Sequence, residues 1–178
     1  MRSAGPTFEH VPGPITTYLA ADHERLEAAL CRAVERPEAI DLTAYDEFRR
    51  GLLRHIGIEE KILLPAARRA REGEPLAMAT RLRLDHGALA ALLVPSPTPA
   101  IVAAIRSILV AHNRLEEGAG GVYEICENLA GRATAALAAQ MRVAPPVPVQ
   151  PHVDDPRVVA AMHRALVRAG YAPEALGL

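Results

Sequence analysis

His55 and Glu59 are four residues apart in LLRHIGIEEKILLP, and His112 and Glu116 repeat that spacing in ILVAHNRLEEGAGG. Four residues are slightly more than one helical turn. On a helix each imidazole therefore shares a face with its carboxylate, about 6 Å away along the axis. Both pairs lie in apolar stripes, the first with Leu52 and Ile62, the second with Ile105, Ile108 and Leu115. A core-facing carboxylate is costly to bury unless it is paired or bound to a metal. Two such pairs in one chain need a common explanation, and a metal supplies one.

Two more histidines fit. His23, in LAADHERLEAAL, follows Leu19 by four and is continued by Leu26 and Leu30. His86, in LRLDHGALAALL, lies four after Leu82 and three before Leu89. The candidate ligands are thus His23, His55, Glu59, His86, His112 and Glu116. Four imidazoles and two carboxylates suit two transition-metal ions. Nitrogen and oxygen donors without thiolate favour iron, manganese or zinc over copper(I). Glu60 and Glu117 are each one step round the helix. Glu59 shares the stripe of Leu52 and His55 and is preferred to Glu60. Glu117 stays open beside Glu116, because the GAGG at 118–121 can distort the helix. Tyr123 is seven past Glu116, about 10 Å away on a continuous helix, and is expected in the core or at its boundary. The same holds for Tyr18 and Tyr45. His10, His152 and His163 fall outside the stripes and are expected to be solvated.

The elements that must position these residues are helical. Half of the 178 residues are apolar, alanine and leucine dominate, and tryptophan is absent. That composition favours helix over strand. Helix one is expected from Pro14 to about Arg36, with proline well placed at a first helical position. DLT at 41–43 offers caps for helix two, Thr43 with Asp46 resembles a capping box, and the helix runs to about Arg71 with a kink at Pro65. Helix three spans about Pro75 to Val94, and PSPTP at 95–99 is a clear break. Helix four starts near Thr98 or Pro99. It is weakened at GAGG and resumes in VYEICENLA.

Short loops between such helices imply an all-α, up-down-up-down four-helix bundle over residues 1–141. Residues 142–154, which contain RVAPPVPVQPH, form a proline-rich, semi-rigid linker. Residues 155–178 hold a C-terminal amphipathic helix with Val158, Val159, Met162 and Leu166 on one face. It docks on the bundle or on a second subunit, giving a homodimer. None of the six candidate ligands lies in this tail, so its removal is expected to spare the metals.

The formal net charge is −1 and no long basic run exists, which argues against nucleic acid as a partner. Cys31 and Cys126 form no C-x-x-C and are expected as small buried hydrophobes in a reducing compartment. The N-terminal MRSAGPTFEHVPGP lacks the apolar core of a signal peptide. The stretch from Ala100 to Ala111 is interrupted by Arg106 and is too short to span a membrane. Cytoplasm is the expected location.

The ordered set resembles the hemerythrin-like, or HHE cation-binding, family. It consists of a histidine in helix one, His-x-x-x-Glu in helix two, a histidine in helix three and His-x-x-x-Glu in helix four. The segments HIGIEEKILLP and HNRLEEGAGGVYEICE look like that family's paired signatures, and the resemblance covers residues 14 to about 130. It implies a non-heme di-iron centre. His23 and His55 would bind one iron, and His86 and His112 the other. Glu59 and Glu116 would bridge both, with an oxo or hydroxo group. The ligand would be dioxygen or another small oxidant such as NO or peroxide. Two features qualify the resemblance. A five-residue spacing from His112 to Glu117 matches that to the aspartate of the oxygen carriers. Those carriers also have a further histidine four residues after the helix-three histidine, where this chain has Ala90. Reversible oxygen carriage is then less expected than an oxygen- or NO-responsive or peroxide-consuming centre. Three functions fit: a binder or sensor; a di-iron enzyme acting as peroxidase, NO scavenger or ferroxidase; and an iron-buffering or regulatory module.

Overall fold

A computed structural model describes residues 12–36 and 38–178. Most of the expected N-terminal arm, with His10, lies outside the described residues, as does most of the segment read for a leader. Helix α1 spans Pro14–Ala33. Its N-terminus is capped from a distance, because the Glu127 carboxylate accepts from the backbone N–H groups of Ile15 and Thr16 at 3.1 and 3.0 Å. Helix α2 spans Leu42–Ile58 and is capped by the side chain of Asp41, the first of the DLT caps, rather than through a Thr43–Asp46 box. Asp41 is better placed because its carboxylate reaches the N–H groups of both Thr43 and Ala44.

From α2 the chain passes through a wide π turn, Glu59–Leu63, into α3, Leu64–Ala70. The physical cause is Pro65. It has no N–H to offer the carbonyl four residues back, and its ring crowds that oxygen. A turn with i→i+5 bonding just upstream accommodates both problems. The expected kink is therefore a change of register, and it falls on Glu59.

Helix α4 spans Ala79–Leu92, starting one turn later than expected, and α5 spans Pro99–Glu117 with Thr98 as its cap. Helices α6, Val122–Ala130, and α7, Thr134–Arg142, are joined by a 3₁₀ turn. Helix α8 spans Pro156–Arg168, and a 3₁₀ turn follows at Pro173–Leu176. Among the described residues there is no strand, and no helix is long and apolar enough to cross a membrane.

Helix α1 packs along α2 and also touches α6 and α7, while α4 lies against α5 and α8. Two apolar clusters result. One gathers Leu26, Leu30, Phe48, Leu52, Leu89, Ile105 and Ile108. The other gathers Ile15, Leu19, Ile58, Leu63, Leu82, Val122 and Met141. Along α1, α2 and α4 the candidate histidines fall between residues of the first cluster and residues of the second. The core is thus two oily layers with a polar one between them.

The proline-rich segment after α7 is pinned to this core. Arg54 donates to the carbonyls of Met141, Arg142 and Ala144, and Arg49 donates to that of Gln150 at 2.8 Å. Ser96 binds Asp154 through its N–H and its hydroxyl, both at 2.7 Å. Helix α8 then buries Met162 and Leu166 in the first apolar cluster. Leu166→Ala should cost about 2–5 kcal/mol, as for other fully buried leucines. Denaturant unfolding checks this, and a cost under about 0.5 kcal/mol, normal for a surface change, would contradict it.

Three surface expectations are revised. Cys126 is buried, but Cys31 is exposed and its thiol donates to Glu27, because it sits one step outside the stripe of Leu26 and Leu30. His152 and His163 are half-buried rather than solvated. The His152 ring lies 6.1 Å from that of Tyr45, since the pinned linker carries it back onto α2.

Candidate metal centre

All six candidate ligands are buried, and their side chains meet in the polar layer. His55 and Glu116 are 1 % exposed and Glu59 is 2 % exposed. Their donor atoms form two four-residue groups that could hold metal ions. The first is His23, His55, Glu59 and Glu116; the second is Glu59, His86, His112 and Glu116. Glu59 and Glu116 belong to both.

The spacings within each group are those of atoms converging on a common point. His23 Nε2 is 2.9 Å from His55 Nε2, and His86 Nε2 is 3.2 Å from His112 Nε2. Glu59 divides its oxygens, with Oε1 3.3 Å from His55 Nε2 and Oε2 3.1 Å from His86 Nε2. Glu116 does likewise, with Oε2 3.5 Å from His23 Nε2 and Oε1 3.1 Å from His112 Nε2. Glu59 Oε2 and Glu116 Oε1 are buried without a hydrogen-bond partner, although imidazole nitrogens lie 3.1 Å away. These atoms are close but not aimed at one another.

Each imidazole presents its other nitrogen to a carboxylate. His55 Nδ1 lies 2.9 Å from Asp22 Oδ2, and His86 Nδ1 lies 2.9 Å from Glu60 Oε1. His23 Nδ1 bonds Glu117, and His112 Nδ1 is 3.6 Å from Asp85 Oδ2. A carboxylate at Nδ1 fixes the proton there and leaves Nε2 with its lone pair. Two such lone pairs face each other at 2.9 Å in one group and at 3.2 Å in the other. A metal ion between each pair relieves that arrangement, as a shared proton does in its absence, so the donor set fits metal.

The carboxylate pairs also sort themselves. Glu59 and Glu116 turn inward, whereas at the rim Glu60 is half-buried and Glu117 exposed, each supporting a histidine of another helix. The π turn and the end of α5 set this division. Asp22 and Asp85 were not singled out in the sequence. The signal was present, since each stands immediately before a candidate histidine, in ADH and LDH. Each supports the histidine of the neighbouring helix, not the one beside it in sequence.

Without metal, protons do part of the work. Burial opposes charge on His55, but the Glu59 carboxylate and the Asp22 bond outweigh it and hold the imidazole up at about 10. His112 is likewise held at about 10, against burial, by Asp85 and Glu116. His23 is pushed down to about 4 by burial and by its neighbour His55. Burial and the nearby Glu59 raise Glu116 to about 7.

Tyr123 was placed in the core by the sequence, at arm's length from Glu116. Its hydroxyl in fact donates to Glu59 Oε1 at 2.7 Å and lies 3.2 Å from Glu116 Oε2. The 10 Å estimate assumed a continuous helix. The chain instead ends α5 at Glu117, breaks the helix at Gly118–Gly121 and resumes in α6, still running down α1 from His23 to Thr16. Gly120 has φ 70°, and a side chain on Gly121 would stand 2.5 Å from the Glu116 carbonyl oxygen. Only glycine makes this turn, and the turn brings Tyr123 over the carboxylates.

The tail supplies none of the candidate ligands, but it touches an outer carboxylate of the centre. Tyr171 donates to Asp85 Oδ1 at 2.7 Å. Arg81, which bonds the same carboxylate, donates to the Ala169 carbonyl at 2.6 Å. Asp22 is held differently, by Arg25 from its own helix at 2.9 Å. Asp85→Ala should weaken metal binding by about 10–100-fold, as loss of an outer carboxylate does at other histidine sites. Tyr171→Phe should act in the same direction with a smaller effect. Competition against a chromophoric chelator measures both, and unchanged affinity in Asp85→Ala would contradict the assigned role.

A cavity of about 290 Å³ lies between α1 and α5, lined by residues including His23, Leu26, Leu109 and Asn113. It runs up to the edge of the first group. Compared with known protein families, curated proteins and solved structures, the chain matches none.

Proposed function

We propose that this chain is a hemerythrin-like, non-heme di-iron protein that binds or senses dioxygen or a related small oxidant. In this reading α1, α2 with α3, α4, and α5 with α6 act as an up-down-up-down bundle around the metal layer. The observation that carries it is the sharing of Glu59 and Glu116 between two buried four-residue groups. His23 and His55 would hold one iron, His86 and His112 the other, with both glutamates common to the pair. When bound, iron supplies one-electron redox chemistry toward oxygen, NO or peroxide.

The protein's own contribution is positioning and exclusion of water. Asp22, Glu60, Asp85 and Glu117 orient the imidazoles from outside. The two apolar clusters keep bulk solvent from the layer. The cavity beside His23 is large enough for a diatomic molecule and is bordered by Leu26 and Leu109.

The test is an anaerobically prepared, iron-loaded, reduced sample mixed with oxygen. A binder or sensor gives a visible spectrum that reverses when oxygen is withdrawn. Steady turnover of peroxide or NO would instead assign the chain to the di-iron enzymes. No spectral change and no turnover would contradict both.

A further inference from the structure

Tyr123 is the one phenol in the metal layer, and its oxygen touches every donor of the first group. It is 2.7 Å from Glu59 Oε1, 3.2 Å from His23 Nε2, 3.2 Å from Glu116 Oε2 and 3.3 Å from His55 Nε2. A phenol has one proton to give, and two carboxylate oxygens and two ring nitrogens surround it. That proton satisfies one carboxylate and leaves the other contacts to be explained.

Coordination geometry accounts for all four distances at once. Donors about 2.1 Å from an ion and at right angles to one another lie about 3.0 Å apart. The other contacts of the group have that same size, with His23 Nε2 to His55 Nε2 at 2.9 Å and His55 Nε2 to Glu59 Oε1 at 3.3 Å. The Tyr123 oxygen therefore takes a corner of the same polyhedron. We propose that Tyr123 is a fifth protein donor to the ion of the first pocket, its phenol oxygen binding the iron directly.

The second pocket has no counterpart. Tyr123 stands seven residues after Glu116, and the residue seven after Glu59 is Ala66. The otherwise paired arrangement of the two His-x-x-x-Glu segments is broken here. The first ion would have five protein donors and the second four, which leaves the second more open to added ligands. The phenol proton passes to solvent as the ion binds, and no change of oxidation state is needed.

This inference rests on the iron reading, and the experiment separates the two. The wild-type protein is reconstituted with iron alone and oxidised in air, and its iron content and resonance Raman spectrum are recorded. Excitation in the visible band should give tyrosinate ring modes, a signature that histidine and carboxylate ligands lack. Tyr123→Phe should still bind iron at both pockets but lose those modes and the band that enhances them. Two irons per chain without tyrosinate modes in the wild type would overturn the Tyr123 assignment and leave the iron reading intact. Failure of the wild type to bind iron would overturn both. The wild-type spectrum decides the matter even if the variant does not fold.

Discussion

Glu59→Ala should strip the chain of both metal ions, whereas His55→Ala should empty chiefly the first pocket and His112→Ala chiefly the second. The difference follows from how the carboxylate is shared. Glu59 Oε1 faces His55 and Glu59 Oε2 faces His86, on opposite sides of one buried group. Removing it takes a donor and a negative charge from both pockets together. Removing one imidazole takes a donor from one pocket and leaves both glutamates in place. The loss on Glu59→Ala should exceed the about 10–100-fold that follows loss of an outer partner, because a direct ligand is gone. Metal analysis after gel filtration at micromolar free metal reads the result, with circular dichroism as the check on folding. Full retention of metal by folded Glu59→Ala would mean that the carboxylate is not common to the two sites.

Metal removal should have the next largest effect, and its size grows with pH. Cations in this layer neutralise two buried carboxylates and separate facing imidazole lone pairs. An ion at about 1,000 times its dissociation constant stabilises the fold by about 4 kcal/mol. Two ions therefore correspond to a drop in Tm of roughly 20 °C on chelation for a chain of this size.

In the metal-free protein His55 and His112 stand at about 10, above an ordinary value of 6.5. A raised histidine contributes stability that is complete below 6.5 and lost as pH rises through its folded value. His86 is raised as well and adds to the same trend. His23, at about 4, works in the opposite sense, but only below 6.5. The Tm of the metal-free protein should therefore fall steadily between pH 6.5 and 10. The metal-loaded protein should stay level there, because its imidazoles carry no exchangeable proton at Nε2. Calorimetry of both forms across that window measures the difference. Parallel profiles would mean that metal does not occupy the histidine layer.

The buried His/Glu cluster was legible in the sequence because it rests on local geometry. Residues four apart on a helix share a face, and an apolar stripe says which face turns inward. That reasoning reached His23, His55, Glu59, His86, His112 and Glu116, and the helical class. It left Glu116 and Glu117 both standing, since a one-step rotation near a helix end decides between them. Here the turn at Gly118–Gly121 lets Glu117 face outward toward His23.

The missed features are those that depend on a second element. Asp22 and Asp85 act on histidines of neighbouring helices, which no periodicity within one helix can reveal. Tyr123 reaches the carboxylates only because the helix is broken between Glu116 and Tyr123. A rise of 1.5 Å per residue along a continuous helix gives the wrong answer across a glycine turn. Tyr171 meets Asp85 through a contact 86 residues apart in sequence, made by a tail that the helical pattern treated as an appendage. The π turn at Glu59–Leu63 could have been read from Pro65, but its consequence for which glutamate points inward required the fold.

The central claim is that two ions share one buried pair of glutamates. An anaerobic titration of the metal-free protein with ferrous iron, followed by removal of loosely bound metal and iron analysis, tests it most directly. Saturation is expected at two irons per chain, with an iron–iron distance by X-ray absorption short enough for a carboxylate to span. Saturation at one iron, or two irons with no iron neighbour in the absorption spectrum, would contradict it.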